Sequence, residues 1–380
     1  MRVCFLSFSH PFDDMRILHK EAYSIARAGH EVIHLAHGQR APSEVGGVRV
    51  RLYWHANILG RAWLLLRHGY AMNADIYHCN EVESWLLGLL LKLVRSHTKV
   101  IFDVHEHYPS RFENPRFPVW FRRPGSRMLR LVFQFLTPAT DLLIYAKRSV
   151  SPDFPARPHQ AVCVFNYSAS RFAVPPRESV SLAVRTHFTG GFVAIHLGDL
   201  SRARGWPQLL EALAQLPREV RVISLGGVEE GIETLLIEAR RLGVADRVTL
   251  LGRVPYEMIF QFLVWADCGL MLYQPGIQNH IFAFPMKMYD YMQAGLPLVG
   301  PDFAVEVAPV FIKNGCGILI DTSSATQLAS ALRRLLLSPP TRQRMGAASR
   351  HAAQTEFTWE SQEKNLLAAY AMLTPPIKIL

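Results

Sequence analysis

The chain has 380 residues, enough for two domains of ordinary size. Hydrophobic residues make up 49% and charged residues 19%, which excludes a disordered chain and describes a protein with a sizeable core. Net charge is +10 and sits in the first half: residues 1–175 hold 22 Lys and Arg against 13 Asp and Glu, and residues 176–380 hold 19 against 18.

A basic first half calls for an anionic partner there: a membrane surface, a phosphorylated acceptor or a nucleic acid. The opening Met1–Phe8 reads as a core strand, followed by Asp13 and Asp14 rather than a cleavage site, so no signal peptide is expected. The segment Ser9-His10-Pro11-Phe12-Asp13-Asp14-Met15-Arg16 lacks the Gly-rich dinucleotide fingerprint, which argues against a nicotinamide or flavin enzyme. Asp14 suits a helix cap or, equally, an acceptor contact. A helix is expected over Met15–Arg27, then strands at Val32–Ala36, Val48–Tyr53 and Ile76–Cys79, with a helix over Ser84–Val94. Strand Val100–Val104 ends in His105-Glu106-His107, a place for a base, a hydrogen-bond donor or a sugar contact. In an extended segment these side chains alternate faces, which puts two ligands on one face with no third identified, so no metal site is expected there.

Arg116, Arg122, Arg123, Arg127 and Arg130 are interleaved with Trp120, Phe121, Phe133 and Phe135. That pattern suits a membrane interface with anionic lipid, and equally an ordinary helix with an arginine-rich outer face. Trp63 to Leu66, between Arg61 and Arg67, would extend the same surface. Strands Leu142–Tyr145 and Val162–Phe165 close the first half. Pro175-Pro176 and weak periodicity place a linker over residues 171–189.

The second half repeats the alternation. Strands are expected at Phe192–Leu197, Val220–Leu225, Val248–Leu251, Gly269–Tyr273, Leu296–Val299 and Gly317–Ile320. Helices are expected at Trp206–Leu216, Ile232–Leu242, Tyr256–Trp265, Met286–Met292, Ala325–Leu337 and Trp359–Leu373. Such alternation predicts α/β architecture, two doubly wound Rossmann-like domains facing each other across a cleft. The domains are residues 1–170 and 190–357, and a terminal helix within 358–380 is long enough to pack back on the first. The five cysteines, at 4, 79, 163, 268 and 316, are odd in number and mostly lie in apolar runs. They read as reduced core residues of a cytosolic protein.

Two segments carry the chemistry. Gly198-Asp199-Leu200-Ser201-Arg202-Ala203-Arg204-Gly205 follows a strand and opens a helix, with two forked cations suited to diphosphate oxygens. Pro285 to Gly295 reads as a short helix with Pro285 at its first position and Gly295 as its left-handed stop. Lys287 and Asp290 are three apart, on one face near the amide-rich N-terminus, where a phosphate and a ribose hydroxyl would be held.

Six pieces, in this order, resemble the retaining, nucleotide-sugar-dependent glycosyltransferases of family 4, of GT-B architecture. They are Asp13 to Glu21, Asp103 to Glu106, Phe165 to Tyr167, Leu200 to Gly205, Leu251 to Val254, and Pro285 to Pro297. The resemblance implies transfer of a sugar from a nucleotide-sugar donor to an acceptor, lipid-linked in the reading favoured by the basic first half, in polysaccharide assembly. It implies that Arg202, Arg204 and Lys287 neutralise the donor diphosphate, so that neither metal nor cofactor is required. Gly198 lies beside them, Asp290 takes the ribose, Val254 lies beside the nucleobase, and His105 reaches the donor sugar. Asp14, Arg122, Arg123, Arg127 and Arg130 fall to the acceptor or membrane side of a cytoplasmic, membrane-associating protein, and no nucleic acid is expected. Many members carry two glutamates separated by seven residues; here the positions hold Phe282 and Asp290. That departure motivates a second reading, a non-catalytic nucleotide-sugar-binding scaffold.

Overall fold

The computed structural model describes residues 1–113, 117–172 and 174–373, and in Glu113 the backbone only. Arg116 of the basic stretch and residues 374–380 of the expected terminal segment lie outside the described residues. The chain divides into two compact units, Met1–Asn166 with Trp359 onward, and Tyr167–Thr358.

The N-terminal unit is built on an eight-stranded sheet. Its strands are β1 (Arg2–Leu6), β2 (Glu31–His37), β3 (Glu44–Val45), β4 (Val48–Tyr53), β5 (Ile76–Cys79), β6 (Lys99–Val104), β7 (Leu142–Tyr145) and β8 (Ala161–Cys163). Their order is β3-β4-β2-β1-β5-β6-β7-β8, parallel throughout except for β3 against β4. The inner strands β5 and β7 are buried along their whole length, as a sheet covered on both faces requires. Trp85 stacks on Phe102 at 4.3 Å and Phe133 on Phe154 at 4.6 Å, which fixes one face of the core. Strand order reverses at β1, between β2 and β5, so ligands of this unit belong at the carboxyl ends of β1 and β5.

The expected helix over Met15–Arg27 is two elements, a π-helical turn Ile17–Ala22 and an α-helix Tyr23–Arg27. The Glu21 amide donates to the Arg16 carbonyl at 2.9 Å, five residues back. That wider turn sets Arg16 and Glu21 side by side, with an ion pair at 2.9 Å. Helix Ile58–Met72, not singled out by periodicity, starts on Asn57, whose side chain accepts from the Gly60 amide at 2.8 Å. Helix Trp359–Leu373 packs in this unit: Trp359 donates to Ser24 Oγ at 3.1 Å, and the Phe165 amide to Gln362 Oε1 at 3.0 Å.

The C-terminal unit has six parallel strands, β9 (Phe192–Leu197), β10 (Val220–Leu225), β11 (Val248–Leu250), β12 (Cys268–Leu270), β13 (Leu298–Pro301) and β14 (Gly317–Ile320). Their order is β11-β10-β9-β12-β13-β14, which puts the reversal beside β9. The described residues of the expected linker, 171–189, are packed into this unit. Val180 and Val184 are buried, and Arg177 donates to the Val264 carbonyl at 2.7 Å. Two apolar side chains anchored in a core outweigh the weak periodicity of that stretch. Helix Pro339–Thr355 was not expected from the sequence. All five cysteines are free, four buried and Cys163 half-buried.

Candidate functional site

β9 ends at Leu197 and is followed by Gly198, whose φ of 89° turns the chain at the sheet's carboxyl edge. Helix Met286–Ala294 brings Lys287 to that edge. Its ammonium donates to the Leu197 carbonyl at 2.6 Å and lies 3.4 Å from His196 Nε2. A methyl group on Gly198 would stand 3.9 Å from it, and the Tyr273 ring centroid is 5.3 Å away. Burial and the nearby Arg204 guanidinium lower the Lys287 pKa to about 7, against the pull of Asp199. Burial, Lys287 and Arg204 together hold His196 well below its ordinary value, so its imidazole is neutral.

Arg204 donates to the Asp199 carbonyl at 3.0 Å and lies 3.6 Å from Glu229. Gly205, at φ 75°, passes so close to β12's outgoing chain that a Cβ would sit 2.6 Å from the Leu272 carbonyl. No other residue fits that approach. Arg202 goes elsewhere: its guanidinium lies over the Trp206 ring at 4.9 Å, and it acts on Glu238. Its amide and the Trp206 indole both donate to Glu230, at 2.8 and 3.1 Å. The structure thus gathers Gly198, Arg204 and Lys287, and sets Arg202 on the outer side of the loop.

Pro285 proves to be the cap, with extended ψ of 132°, and the helix begins one residue later; Gly295 is the left-handed stop at φ 75°. Asp290 shares Lys287's helix but not its surroundings. Its carboxylate is 2% exposed and accepts from Ser168 Oγ and, at 2.5 Å, from Tyr256 Oη. Burial, then the Asp290 charge and hydrogen bond, raises the Tyr256 pKa well above its usual value. Val254 is half-buried in the loop after β11. Its neighbour Arg253 forms an ion pair with Asp199 at 2.5 Å, and Asp199 also accepts from the Gly227 amide at 2.7 Å. Asp199, Arg253 and His196 carried no role in the sequence reading. The signal available for Asp199 was its place one residue after a strand-end glycine.

In the N-terminal unit, Asp103 is fully buried and takes a bidentate hydrogen bond from Arg16 at 2.8 and 2.7 Å. Burial opposes its charge, yet Arg16, and then His105, hold its carboxyl well below the usual range. Burial, with Asp103 and Asp14 alongside, raises Glu21 against the pull of Arg16. Glu21, His78 and Asp103 lie close enough to hold a cation, and the Arg16 guanidinium already fills that role. His105 lies 3.4 Å from Asp103 and 3.0 Å from His10, whereas His107 lies 3.2 Å from Asp153. Alternation would set these two histidines, two residues apart, on one face; the strand instead ends at Val104 and the chain bends at Glu106, so they face different partners. Asp14 accepts from the Arg16 and Ile17 amides at 2.9 and 3.0 Å, the capping geometry.

Helix Val119–Leu136 carries the arginines. Arg123, Arg127 and Arg130 are exposed; Arg122 is half-buried and donates to the Phe117 carbonyl, while Arg130 pairs with Asp153 at 2.8 Å. The outer face is not arginine alone, because Trp120, Leu131 and Phe135 are exposed with them, Phe135 by 81%.

Residues 182–352 match the family model described as "Glycosyl transferases group 1". This segment is similar to group 1 glycosyl transferase domains. It contains Gly198, Arg202, Arg204, Val254, Lys287 and Asp290, while Asp14 and His105 lie outside it. D-inositol 3-phosphate glycosyltransferase of Corynebacterium diphtheriae is 31% identical over 188 residues, 47% of this chain. That match spans 42% of the relative's length, less than half. A GDP-mannose-dependent monoacylated alpha-(1-6)-phosphatidylinositol monomannoside mannosyltransferase of Corynebacterium glutamicum is 23% identical over 71% of this chain and 69% of its own. Among solved structures, Anabaena Alr3699/HepE in complex with UDP superposes with TM-score 0.77 at 16% identity, covering 98% of this chain and 100% of its own. WaaG, a glycosyltransferase involved in lipopolysaccharide biosynthesis, superposes with TM-score 0.70 at 17% identity, covering 98% and 99%. The two units therefore have the two Rossmann-like folds of GT-B proteins. Among the described residues, no helix is long and apolar enough to cross a membrane.

Proposed function

We propose that this chain is a retaining glycosyltransferase that moves a sugar from a nucleotide-sugar donor to a glycan acceptor, lipid-linked in the form we favour. One observation supports this most: the Lys287 ammonium, with Arg204 nearby, at the glycine turn ending β9. When the bond between the sugar and the diphosphate breaks, the electron pair goes to the diphosphate. Fixed cations aimed there lower the barrier. Lys287 and Arg204 supply them, so the reaction as proposed invokes no metal and no cofactor. Arg202 is assigned a weaker, outer part. The acceptor hydroxyl attacks the sugar on the face the diphosphate leaves and passes its proton to the departing oxygen, which keeps the anomeric configuration. His105 is the group we assign to the reacting sugar, and Val254 to the base.

The helix Val119–Leu136 supports a peripheral site on anionic membrane, with Arg123 and Arg127 facing outward beside Trp120 and Phe135. The test of transfer is release of nucleoside diphosphate when the chain is incubated with uridine, guanosine and adenosine diphosphate sugars and extracted lipid acceptor. No release with any donor defeats it.

The second reading, a nucleotide-sugar-binding scaffold, draws on Phe282 in place of a carboxylate and on the engagement of Asp290 with Ser168 and Tyr256. Thermal stabilisation by a nucleotide sugar without turnover favours that reading.

A further inference from the structure

Two imidazoles meet at the carboxyl ends of β1 and β6. His10 Nε2 and His105 Nε2 are 3.0 Å apart, with ring planes at 73°. The other nitrogen of each faces a carboxylate: His10 Nδ1 is 3.4 Å from Asp14, and His105 Nδ1 is 3.4 Å from Asp103. Both carboxylates are held in place, Asp14 by two amides and Asp103 by the Arg16 fork. The loop carrying His10 is fastened too, because the Phe8, Ser9 and His10 amides all donate to Glu81, at 2.9, 2.8 and 2.9 Å.

Proton counting constrains this arrangement. Three places want a proton: each Nδ1, toward its carboxylate, and the space between the two Nε2 atoms. A neutral imidazole carries one proton, so two neutral rings leave one place bare, with lone pairs opposed or a lone pair against a carboxylate. Four protons would set two N–H groups head to head at hydrogen-bond distance. Three protons satisfy every position. We propose that His10 and His105 hold three protons between them, one of them shared between the Nε2 atoms, and that His10 is thereby the positioning residue for His105. The link to catalysis rests on the assignment of His105 to the reacting sugar; the proton count does not.

The charged groups around the pair agree. Asp14, Glu81 and Glu106 face His10, while Asp103 and the Tyr108 ring, in a T-shaped contact, face His105. Arg111 lies over Tyr108 at 4.6 Å and within 3.8 Å of Glu106. Burial works against a charge on His10, but the three carboxylates outweigh it and raise its pKa to about 9. A pair with one positive charge holds the His105 ring between the Asp103 carboxylate, in ion-pair contact at 3.4 Å, and His10 at 3.0 Å, and a sugar hydroxyl or phosphate oxygen replacing His10 would find an N–H already aimed.

The test is nitrogen-15 histidine NMR on the full chain with neither donor nor acceptor. The expected result is one exchange-protected proton, far downfield, correlated with the Nε2 atoms of both residues. It should vanish in His10→Gln and in His105→Gln alone. Asp14→Asn, which retains an oxygen to cap the helix start, should move the His10 midpoint toward acid by about one pH unit or more. Two Nε2 signals titrating independently in the wild-type chain, or a shared signal surviving either Gln variant, overturns the proposal. In a transfer assay, His10→Gln should lower kcat about tenfold with donor KM nearly unchanged, the pattern of lost positioning rather than lost binding. An inactive chain that keeps the shared proton defeats the transferase reading alone; an active chain without it defeats the pair alone.

Discussion

The two units both collect charge at the carboxyl edges of their sheets, and they do so in opposite ways. Around β6, Arg16 is matched by Asp103 and Glu21 at 2.7 and 2.9 Å, and all three are buried. Around β9, Lys287 has a carbonyl, a neutral imidazole and another cation for neighbours, and its nearest opposing charge already serves Arg253. The first cluster is complete in its charge pairing, although both Glu21 oxygens and His78 Nε2 lack a hydrogen bond among the described residues, and it acts on structure. The second holds more positive charge than its own residues neutralise, which is the electrostatic signature of a place for an anion.

Breaking the complete cluster should have the largest effect. Arg16→Met takes the bidentate partner from buried Asp103 and leaves it His105 at 3.4 Å, so unfolding free energy should fall by about 3–5 kcal/mol in a denaturant titration. A loss under about 1 kcal/mol would show that the pairing is not as tight as its distances indicate. Lys287→Met should do the reverse: a gain in stability near neutral pH, since burial and Arg204 lower the lysine's pKa and so count against the fold, and a 10- to 100-fold weaker affinity for nucleoside diphosphate, from one lost charge-assisted contact of about 1.5–3 kcal/mol.

The same lysine sharpens the contrast through pH. With the free-state pKa near 7, a bound diphosphate must raise it, so binding takes up a proton around neutral pH and affinity falls as pH rises above 7. Calorimetry in two buffers of different ionisation enthalpy reads that uptake, and Lys287→Met should abolish it. His10 titrates in the opposite sense for stability. Its folded pKa is raised from 6.5 to about 9, so its stabilisation is complete below 6.5 and is lost as pH climbs through 9. That loss amounts to at most about 3 kcal/mol, and Asp14→Asn should flatten the profile.

Smaller effects separate residues that look alike in sequence. Tyr256→Phe removes one donor to the buried Asp290 and should cost about 1–2 kcal/mol in stability. Arg204→Ala should weaken nucleoside diphosphate binding several-fold more than Arg202→Ala, because only Arg204 acts on Lys287. Equal effects would return Arg202 to the inner site.

Strands were the most legible elements, since β4, β5, β7, β9, β10 and β14 are continuous apolar or alternating runs bounded by turn residues. Helix Ile58–Met72 was harder to see, because Leu59 and Trp63 on its outer side blur the amphipathic period. Lys287, Arg204 and Gly198 were visible as residues that suit a diphosphate at a strand end. Asp290 was visible as a carboxylate, but its partners Ser168 and Tyr256 come from 122 and 34 residues away. Spacing along a helix says which residues share a face, not what packs against each of them.

The amino-acid order alone determined the alternation of strands and helices, the glycine turn after β9, the stop at Gly295 and the basic bias of the first half. Those are local consequences of hydrophobic period, backbone freedom and charge count. Tertiary structure alone decided which cations stand together, that Arg202 turns outward, that Glu21 meets Arg16 through a π turn, and that His10 meets His105 across 95 residues. Charge state, unlike strand propensity, is set by what surrounds a group in space, and chain order does not list those neighbours.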